Sequence, residues 1–432
     1  MTNQSELSAP VLRSLRWTVF ALALLCALTI LATRSAQAQT FAVLHAFTGG
    51  DDGASPYAGL TRDAAGNLYG TTYTGGFNAN GCVQTGCGTV FRLKAAGSDW
   101  ALIPLYGFHF SDGAQPKGRV IFGPDGTLYG ATTYGGGGPC YFTACGTVFS
   151  LRPPATVCKS VLCPWMEAVL WSFRENPDGA YPEFGDLNFN NTGHLYGTTV
   201  EGGTYSNGVV YELARLPDGE WSESIDYDFT QTSGEGASPS AGVIFDRSGN
   251  MYTPTTGGGF GDERCGDIVQ LSNSPSGWTE TVLYTFACGA GGQWPVGGLI
   301  FDQAGNLYGT TTVGGQGNGG IVFELTPSDG TWIFNILYSF IGGNGPEASL
   351  IMDAAGNLYG TTYTAGPYAN GTVFKLTQSN GSWAYSSLHD FTGGSDGGYP
   401  ISNVTFDSEG NLYGTASRGG QYGDGVVWEI TP

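Results

Sequence analysis

Residues 305–311 read GNLYGTT, and close copies of this heptad occur seven times along the chain. Its tyrosine falls at Tyr69, Tyr129, Tyr196, Tyr252, Tyr308, Tyr359 and Tyr413, at spacings of 60, 67, 56, 56, 51 and 54 residues. A period of this size, rich in Gly and aromatics, marks one supersecondary unit copied in tandem. The fifth copy is the cleanest. Residues 297–302 (GGLIFD) precede the heptad, 320–325 (GIVFEL) follow a Gly-rich loop, and 332–340 (WIFNILYSF) follow a polar turn. Short runs rich in Val, Ile, Phe, Tyr and Thr, bounded by Gly, Asn, Asp and Ser, read as strands. No stretch after residue 40 sustains the apolar 3.6-residue period of a helix. Each repeat is therefore predicted to be a four-stranded antiparallel meander, and the chain an all-β, seven-bladed β-propeller.

The turn between the first two strands recurs as Asp-x-x-Gly-Asn at 63–67, 302–306, 353–357 and 407–411. Gly supplies a positive φ there and Asp bonds the neighbouring backbone, so these aspartates read as turn residues rather than ligands. Two copies have Gly123 and Asn190 in place of the acid. The seventh repeat stops after its third strand, 425–430 (GVVWEI), and a matching fourth strand, 41–47 (FAVLHAF), lies at the other end of the chain. Pairing of 41–47 with 425–430 is predicted to close the ring.

Residues 1–38 differ from the rest. Arg13 and Arg16 precede an apolar stretch at 17–32, and Ala36-Gln37-Ala38 supplies small residues for cleavage after Ala38. This reads as a secretory signal peptide followed by a single propeller domain, 39–432, with a retained membrane anchor as the alternative. Cleavage removes Cys26 and leaves eight cysteines, an even number suited to an oxidising compartment. The expected disulfides are Cys82–Cys87, Cys140–Cys145, Cys158–Cys163 and Cys265–Cys288; zinc sites fit poorly, because the four-residue gaps lack nearby His. Lys plus Arg number 16 against 36 Asp plus Glu, a net charge of −20. Without the leader the balance is 13 minus 35, or −22. Such a surface repels phosphate backbones, so nucleic acid is excluded as a partner. No second apolar segment ties the chain to a membrane, and a monomer is expected.

Blocks such as 305–311 (GNLYGTT), 371–376 (GTVFKL) and 337–340 (LYSF) resemble the GloVer tandem repeat of exported bacterial proteins, over essentially all of 41–432. The resemblance implies a secreted, β-propeller-like protein. Members often carry a C-terminal surface anchor. Here the sequence ends at Pro432 without a sorting tail, so release or loose surface association is expected. The family has no established catalytic residues to carry over.

Catalytic motifs are sparse. His45 and His389 occupy a slot filled elsewhere by Tyr106, Trp171, Tyr227, Tyr284 and Tyr338, and His194 stands where Asn67 and Asn306 do. No Gly-x-Ser-x-Gly, His-Glu-x-x-His or phosphate loop occurs. The loop entering each first strand is more suggestive: it carries Asp52, Asp112, Asp178, Glu235 and Asp396, each followed by Gly and then Pro, with Trp294 in the fifth copy. In a meander this loop and the Gly-rich loop share one face, where binding residues gather. Carboxylates there suit calcium, and aromatics such as Tyr57, Tyr181, Trp294, Tyr399 and Tyr422 suit a glycan. The competing reading is ordinary turn chemistry before an extended residue preceding Pro. Asp262 and Glu263 form the densest charge cluster of the rim. The chain is expected to be a binding or interaction module at or outside the cell envelope, with no cofactor evident beyond calcium. A polysaccharide-active hydrolase or lyase using the acidic rim is the alternative, and a purely structural surface protein the third.

Overall fold

The computed structural model describes residues 39–432 apart from 77–81, 83–84, 98, 141–143, 155–164, 184, 231–234, 259–263 and 380. The leader, the Cys158–Cys163 pair, Asp262 and Glu263 lie outside the described residues. Seven four-stranded antiparallel sheets form the blades of a propeller. The fifth blade shows the pattern: Ile300–Phe301, Leu307–Thr311, Asn318–Ser328 and Thr331–Ile341, each hydrogen-bonded to the next. In the seventh, Thr405–Phe406, Leu412–Ala416 and Val426–Thr431 come from the end of the chain and Thr40–Ala46 from its start. The Phe47 amide donates to Gly425 O at 3.0 Å, the bond that Phe108 makes to Gly88 and Phe391 to Gly371 within single blades. The N-terminal strand is thus the missing fourth strand, and the ring closes as the sequence predicts.

The last five residues of the heptad form the second strand, and in all seven blades every residue of that strand is buried. Its Leu enters the blade-to-blade core. The Tyr hydroxyl donates to the turn aspartate, as Tyr308 does to Asp302 at 3.2 Å and Tyr359 to Asp353 at 3.0 Å. The Gly makes room. A Cβ on Gly70 or Gly309 would lie 2.6 Å from the Phe91 ring or 2.5 Å from the Phe323 ring on the third strand opposite. The fourth blade has Thr253 in this place and Val269 opposite, so a larger second-strand residue meets a smaller third-strand one. Asp63 and its equivalents accept two backbone amides and an Asn side chain within the turn, the role expected of them.

First strands are shorter than their sequence suggests, pairing over two residues such as Ile300–Phe301. Their first residues also bond the neighbouring blade: Asn188 Nδ2 donates to Val243 O at 3.2 Å, and Thr405 Oγ1 to Leu60 O at 2.6 Å. Three of the expected disulfides are formed, Cys82–Cys87, Cys140–Cys145 and Cys265–Cys288, with Cα separations of 5.4, 5.5 and 5.4 Å. Among the described residues, no helix is long and apolar enough to cross a membrane.

Candidate functional site

The loop entering each first strand and the loop leaving each second strand meet on one face, joined by bridges such as Ala54–Thr74, Ala114–Tyr134 and Gly398–Arg418. The rim acids sit here, with their carboxylates turned into their own loops. Asp52 accepts from His45 Nε2 and the Thr48 amide, both at 3.0 Å, and Asp396 repeats the arrangement with His389 at 3.2 Å and Thr392 at 2.9 Å. Asp112 accepts from the Tyr106 hydroxyl at 2.8 Å and the His109 amide at 2.9 Å. Asp178, 1% exposed, takes Arg174 Nε at 2.8 Å, and Glu235 takes the Thr230 hydroxyl. Each acid therefore ties the end of a fourth strand to the loop after it. Among the described residues, one group holds three ligand atoms within 4.8 Å of one another, Cys140, Cys145 and Glu175, and its two sulfurs are joined as a disulfide.

Trp294 belongs to a different set. The residue before each loop proline is left-handed, not extended, in six blades: Ser55, Gln115, Tyr181, Ser238, Trp294 and Tyr399, with φ between 52° and 59°. What holds it there is an inter-blade bond. Its amide donates to the loop just before the preceding blade's third strand, as Gln115 does to Cys87 O at 2.8 Å and Trp294 to Cys265 O at 2.9 Å. A non-glycine residue in this region stores about 1–3 kcal/mol. The conformation carries Tyr181, Trp294 and Tyr399 onto the rim, where Trp294 is 46% exposed.

The sevenfold pattern breaks at the bore. On the rim side the position after the loop proline holds Tyr57, Lys117, Glu183 and Glu347 in four blades. Lys117 Nζ pairs with Glu183 at 2.8 Å and lies 5.7 Å from the centre of the Tyr73 ring. Tyrosines surround them in contacting pairs, Tyr57–Tyr73 at 4.9 Å, Tyr134–Tyr181 at 5.4 Å and Tyr363–Tyr399 at 5.3 Å, with Arg418 over Tyr399 at 5.2 Å. Burial and neighbouring acidic groups push the Tyr73 hydroxyl up to about 12, so it is a neutral donor at any physiological pH. Burial also pushes the Glu347 carboxyl up to about 7, only partly offset by Lys117. Deeper, Asp186 accepts from Arg119 Nη2 at 3.1 Å, the Arg119 amide at 2.9 Å and Asn403 Nδ2 at 3.0 Å, and Asn403 Oδ1 accepts the Ser349 amide at 2.9 Å. Asp186 and Asn403 belong to the third and seventh blades, which are not neighbours, so this bond crosses the bore.

With the geometry in view, the comparisons are informative about lineage and fold. The profile of the Gloeobacter/Verrucomicrobia repeat matches residues 29–165, 144–347 and 333–432. The chain belongs to this repeat family. No curated protein matches the sequence. Among solved structures, two extracellular domains from B. thetaiotaomicron, described as belonging to a one component system and a hybrid two component system, are similar over 90% of this chain. They are 12% and 13% identical, with TM-scores of 0.51 and 0.53. The chain spans about two fifths of their length, 40% and 39%. A protein of unknown function from Dyadobacter fermentans is similar over 91% of this chain and 98% of its own, at 10% identity and a TM-score of 0.43. At 12% and 13% identity the likeness to the two B. thetaiotaomicron domains is one of fold.

In this member of the Gloeobacter/Verrucomicrobia repeat family, the bore residues escape a reading that looks for what the repeats share. They occupy places where the copies disagree. The residue just before the buried aliphatic that precedes the first strand is Gly59, Gly242 or Gly298 in three blades, and Arg119, Asp186, Ser349 or Asn403 in the others. Aligning the copies on that aliphatic would have exposed the contrast.

Proposed function

We propose that this chain is an exported binding protein that holds a neutral glycan at the rim-side mouth of its bore. One observation carries the reading: the arc of tyrosines from Tyr57 and Tyr73 through Tyr363 and Tyr399, set around Lys117, Glu183 and Glu347. A sugar ring offers an apolar C–H face to an aromatic ring and hydroxyls to charged hydrogen-bonding groups, and few precisely placed polar groups beside aromatics are typical of such pockets. The cations and carboxylates of the mouth largely balance, which favours a neutral ligand over a polyanion. Export rests on the leader-like residues 1–38 and on three disulfides, which persist in oxidising compartments. A glycan array followed by calorimetry on the mature protein tests this. Tyr57→Ala and Tyr363→Ala are each expected to weaken binding at least tenfold. A blank array, or affinity untouched by both substitutions, would sink the reading.

The enzymatic alternative has Glu347 in its favour. A carboxyl that titrates near 7 is partly protonated at neutral pH and can deliver a proton to a departing oxygen, and perturbed acids concentrate at functional sites. If oligosaccharide cleavage is found, Glu347→Gln should abolish turnover while sugar binding survives. Loss of both together would assign Glu347 to binding alone.

A further inference from the structure

Among the described residues, exposed aromatic rings are confined to one face of the molecule. Four stand well open to solvent, Tyr205, Trp294, Tyr368 and Tyr422, between 46% and 59% exposed. Trp294 lies in the loop entering the fifth blade, and the tyrosines lie in the loops after the second strands of the third, sixth and seventh. All four loops open on the rim. Exposed aliphatic side chains follow another rule, lying on fourth strands, as Ile333 and Ile336 do, or in the opposite-face turn at Leu216. Trp294, Tyr368 and Tyr422 come from successive blades, and the sixth and seventh of these also supply Tyr363 and Tyr399 to the mouth. Aromatic platforms thus continue from the mouth over one arc of the rim.

The fold holds two of these rings in place through their backbones. Trp294 is left-handed, with φ 58°, a conformation that costs a non-glycine residue free energy and persists only where its surroundings enforce it. Its amide donates to Cys265 O at 2.9 Å, and its carbonyl accepts the Thr312 amide at 3.1 Å. Cys265 is tied in turn by its disulfide to Cys288, just past the end of the fourth strand of the same blade. The sixth blade makes this tie without sulfur. Asn370 stands where Cys265 does, directly before the glycine of the third strand, and its Nδ2 donates to Thr392 O at 2.8 Å and Tyr368 O at 3.0 Å. The bond that closes the loop therefore also fixes the Tyr368 backbone. Presetting the platforms in this way lowers the ordering cost that a ligand landing on them must meet. The chain's net charge of −20 repels a polyanion, so the ligand that fits an extended row of platforms here is uncharged.

We propose that Trp294, Tyr368 and Tyr422 are outer subsites of the mouth, so that the ligand is a neutral polysaccharide chain rather than a free mono- or disaccharide. The inference rests on the reading of the mouth as a glycan site. Each sugar ring of a chain offers an apolar face to an aromatic platform, and linked rings occupy further platforms without a second independent association. The test is calorimetry on the full mature protein with β-1,4-linked gluco-, manno- and xylo-oligosaccharides of two and of six units. In the series that binds, the hexaose should bind at least tenfold more tightly than the biose. Trp294→Gly and Tyr422→Ala should each weaken the hexaose at least threefold while changing the biose less than twofold. The melting temperature of Trp294→Gly should not fall, because glycine takes the positive φ freely. Tyr57→Ala, at the mouth, should weaken both lengths. A hexaose that binds no more tightly than the biose overturns the proposal and leaves the mouth reading standing. So does hexaose affinity untouched by both outer substitutions, or a biose weakened as much as the hexaose by each of them. Absence of binding in all three series overturns the mouth reading and this inference with it.

Discussion

The seven copies of the heptad differ least where a side chain has no alternative. Its Gly faces an aromatic ring on the third strand in six blades, and where Thr253 replaces the Gly, Val269 replaces the ring. This exchange of volume across one register pair predicts strong coupling between the two positions. Gly309→Thr alone drives a β-branched side chain into Phe323 and should destabilise by about 1–3 kcal/mol, as overpacking does. Phe323→Val alone should cost about 3 kcal/mol through the cavity it leaves. The double substitution reproduces the fourth blade's solution, so its cost should fall below the sum by about 1–3 kcal/mol in a denaturant double-mutant cycle. Strict additivity would mean that the pairing is incidental. The Gly was legible as a recurring letter, but its reason was not, because it lies in the residue opposite. The left-handed residue before six of the loop prolines departs from the sequence expectation for a similar reason. The local preference for extended backbone before Pro yields here to an inter-blade amide bond that no single repeat contains.

Between blades, the outer strands meet through one repeated contact whose chemistry changes around the ring. The slot held by Tyr284, Tyr338 or His389 stacks on an aromatic of the next blade's fourth strand: Phe334 at 3.9 Å, Tyr385 at 4.6 Å and Phe41 at 3.6 Å. In the second, third and fourth blades that partner is Glu167, Glu223 or Glu280. Glu280 accepts from the Tyr227 hydroxyl at 2.8 Å and the Gly236 amide at 2.7 Å. Glu167 and Glu223 each leave one buried oxygen without a partner among the described residues. Burial, with Asp112 beside Glu167 and Asp178 beside Glu223, moves both from the usual 4.5 to about 7, Arg174 only partly opposing this at Glu223. A carboxyl whose folded pKa is raised stabilises fully below its unfolded value, and that stability is lost as pH climbs through the folded one. The loss therefore runs from about pH 4.5 to about pH 7. The turn aspartates act oppositely: their burial is outweighed by hydrogen bonds that hold Asp63, Asp302, Asp353 and Asp407 below the usual value, so their contribution fades only in stronger acid. The melting temperature should accordingly be higher at pH 5 than at pH 8. Glu167→Gln with Glu223→Gln should reduce that difference, Asp226, Asp267 and Glu347 supplying the remainder, and raise the pH 8 value by about 2–4 °C, the effect of about 1 kcal/mol in a sizeable domain. Scanning calorimetry across this range settles it, and a pH 8 value left unchanged by both substitutions would refute the assignment. The four-strand pattern itself was readable from apolar runs and turns, whereas seam chemistry needs the register between blades.

A propeller must join its last blade to its first without a covalent link, and here two separate devices do so. One is the N-terminal strand, Thr40–Ala46, hydrogen-bonded beside Val426–Thr431, with Phe41 stacked on His389 and Phe47 fully buried. The other is an inter-blade contact that recurs at most junctions: the Ser55 amide donates to Asp424 O at 2.7 Å, and Thr415 Oγ1 donates to Ala58 O at 3.0 Å. Only the first device was visible as a match between the two ends of the sequence; the second depends on loops whose copies look alike at every junction. The two can be separated. A chain beginning at Thr48 keeps the second contact and loses the first. It forfeits the strand's backbone bonds, each worth about 0.5–1.5 kcal/mol net, and the burial of Phe41 and Phe47 at about 1.5–3 kcal/mol apiece. It also exposes the edge of Val426–Thr431, an apolar strand free to pair with another molecule. Such a chain is expected to melt at least 10 °C lower and to aggregate. A synthetic peptide of residues 39–48 added in excess should restore much of the loss, because it binds only the folded ring. A truncated chain that melts with the intact one would place the closure in the Ser55 and Thr415 contacts alone. Partial rescue by peptide would instead show that the ring assembles first and the strand seals it.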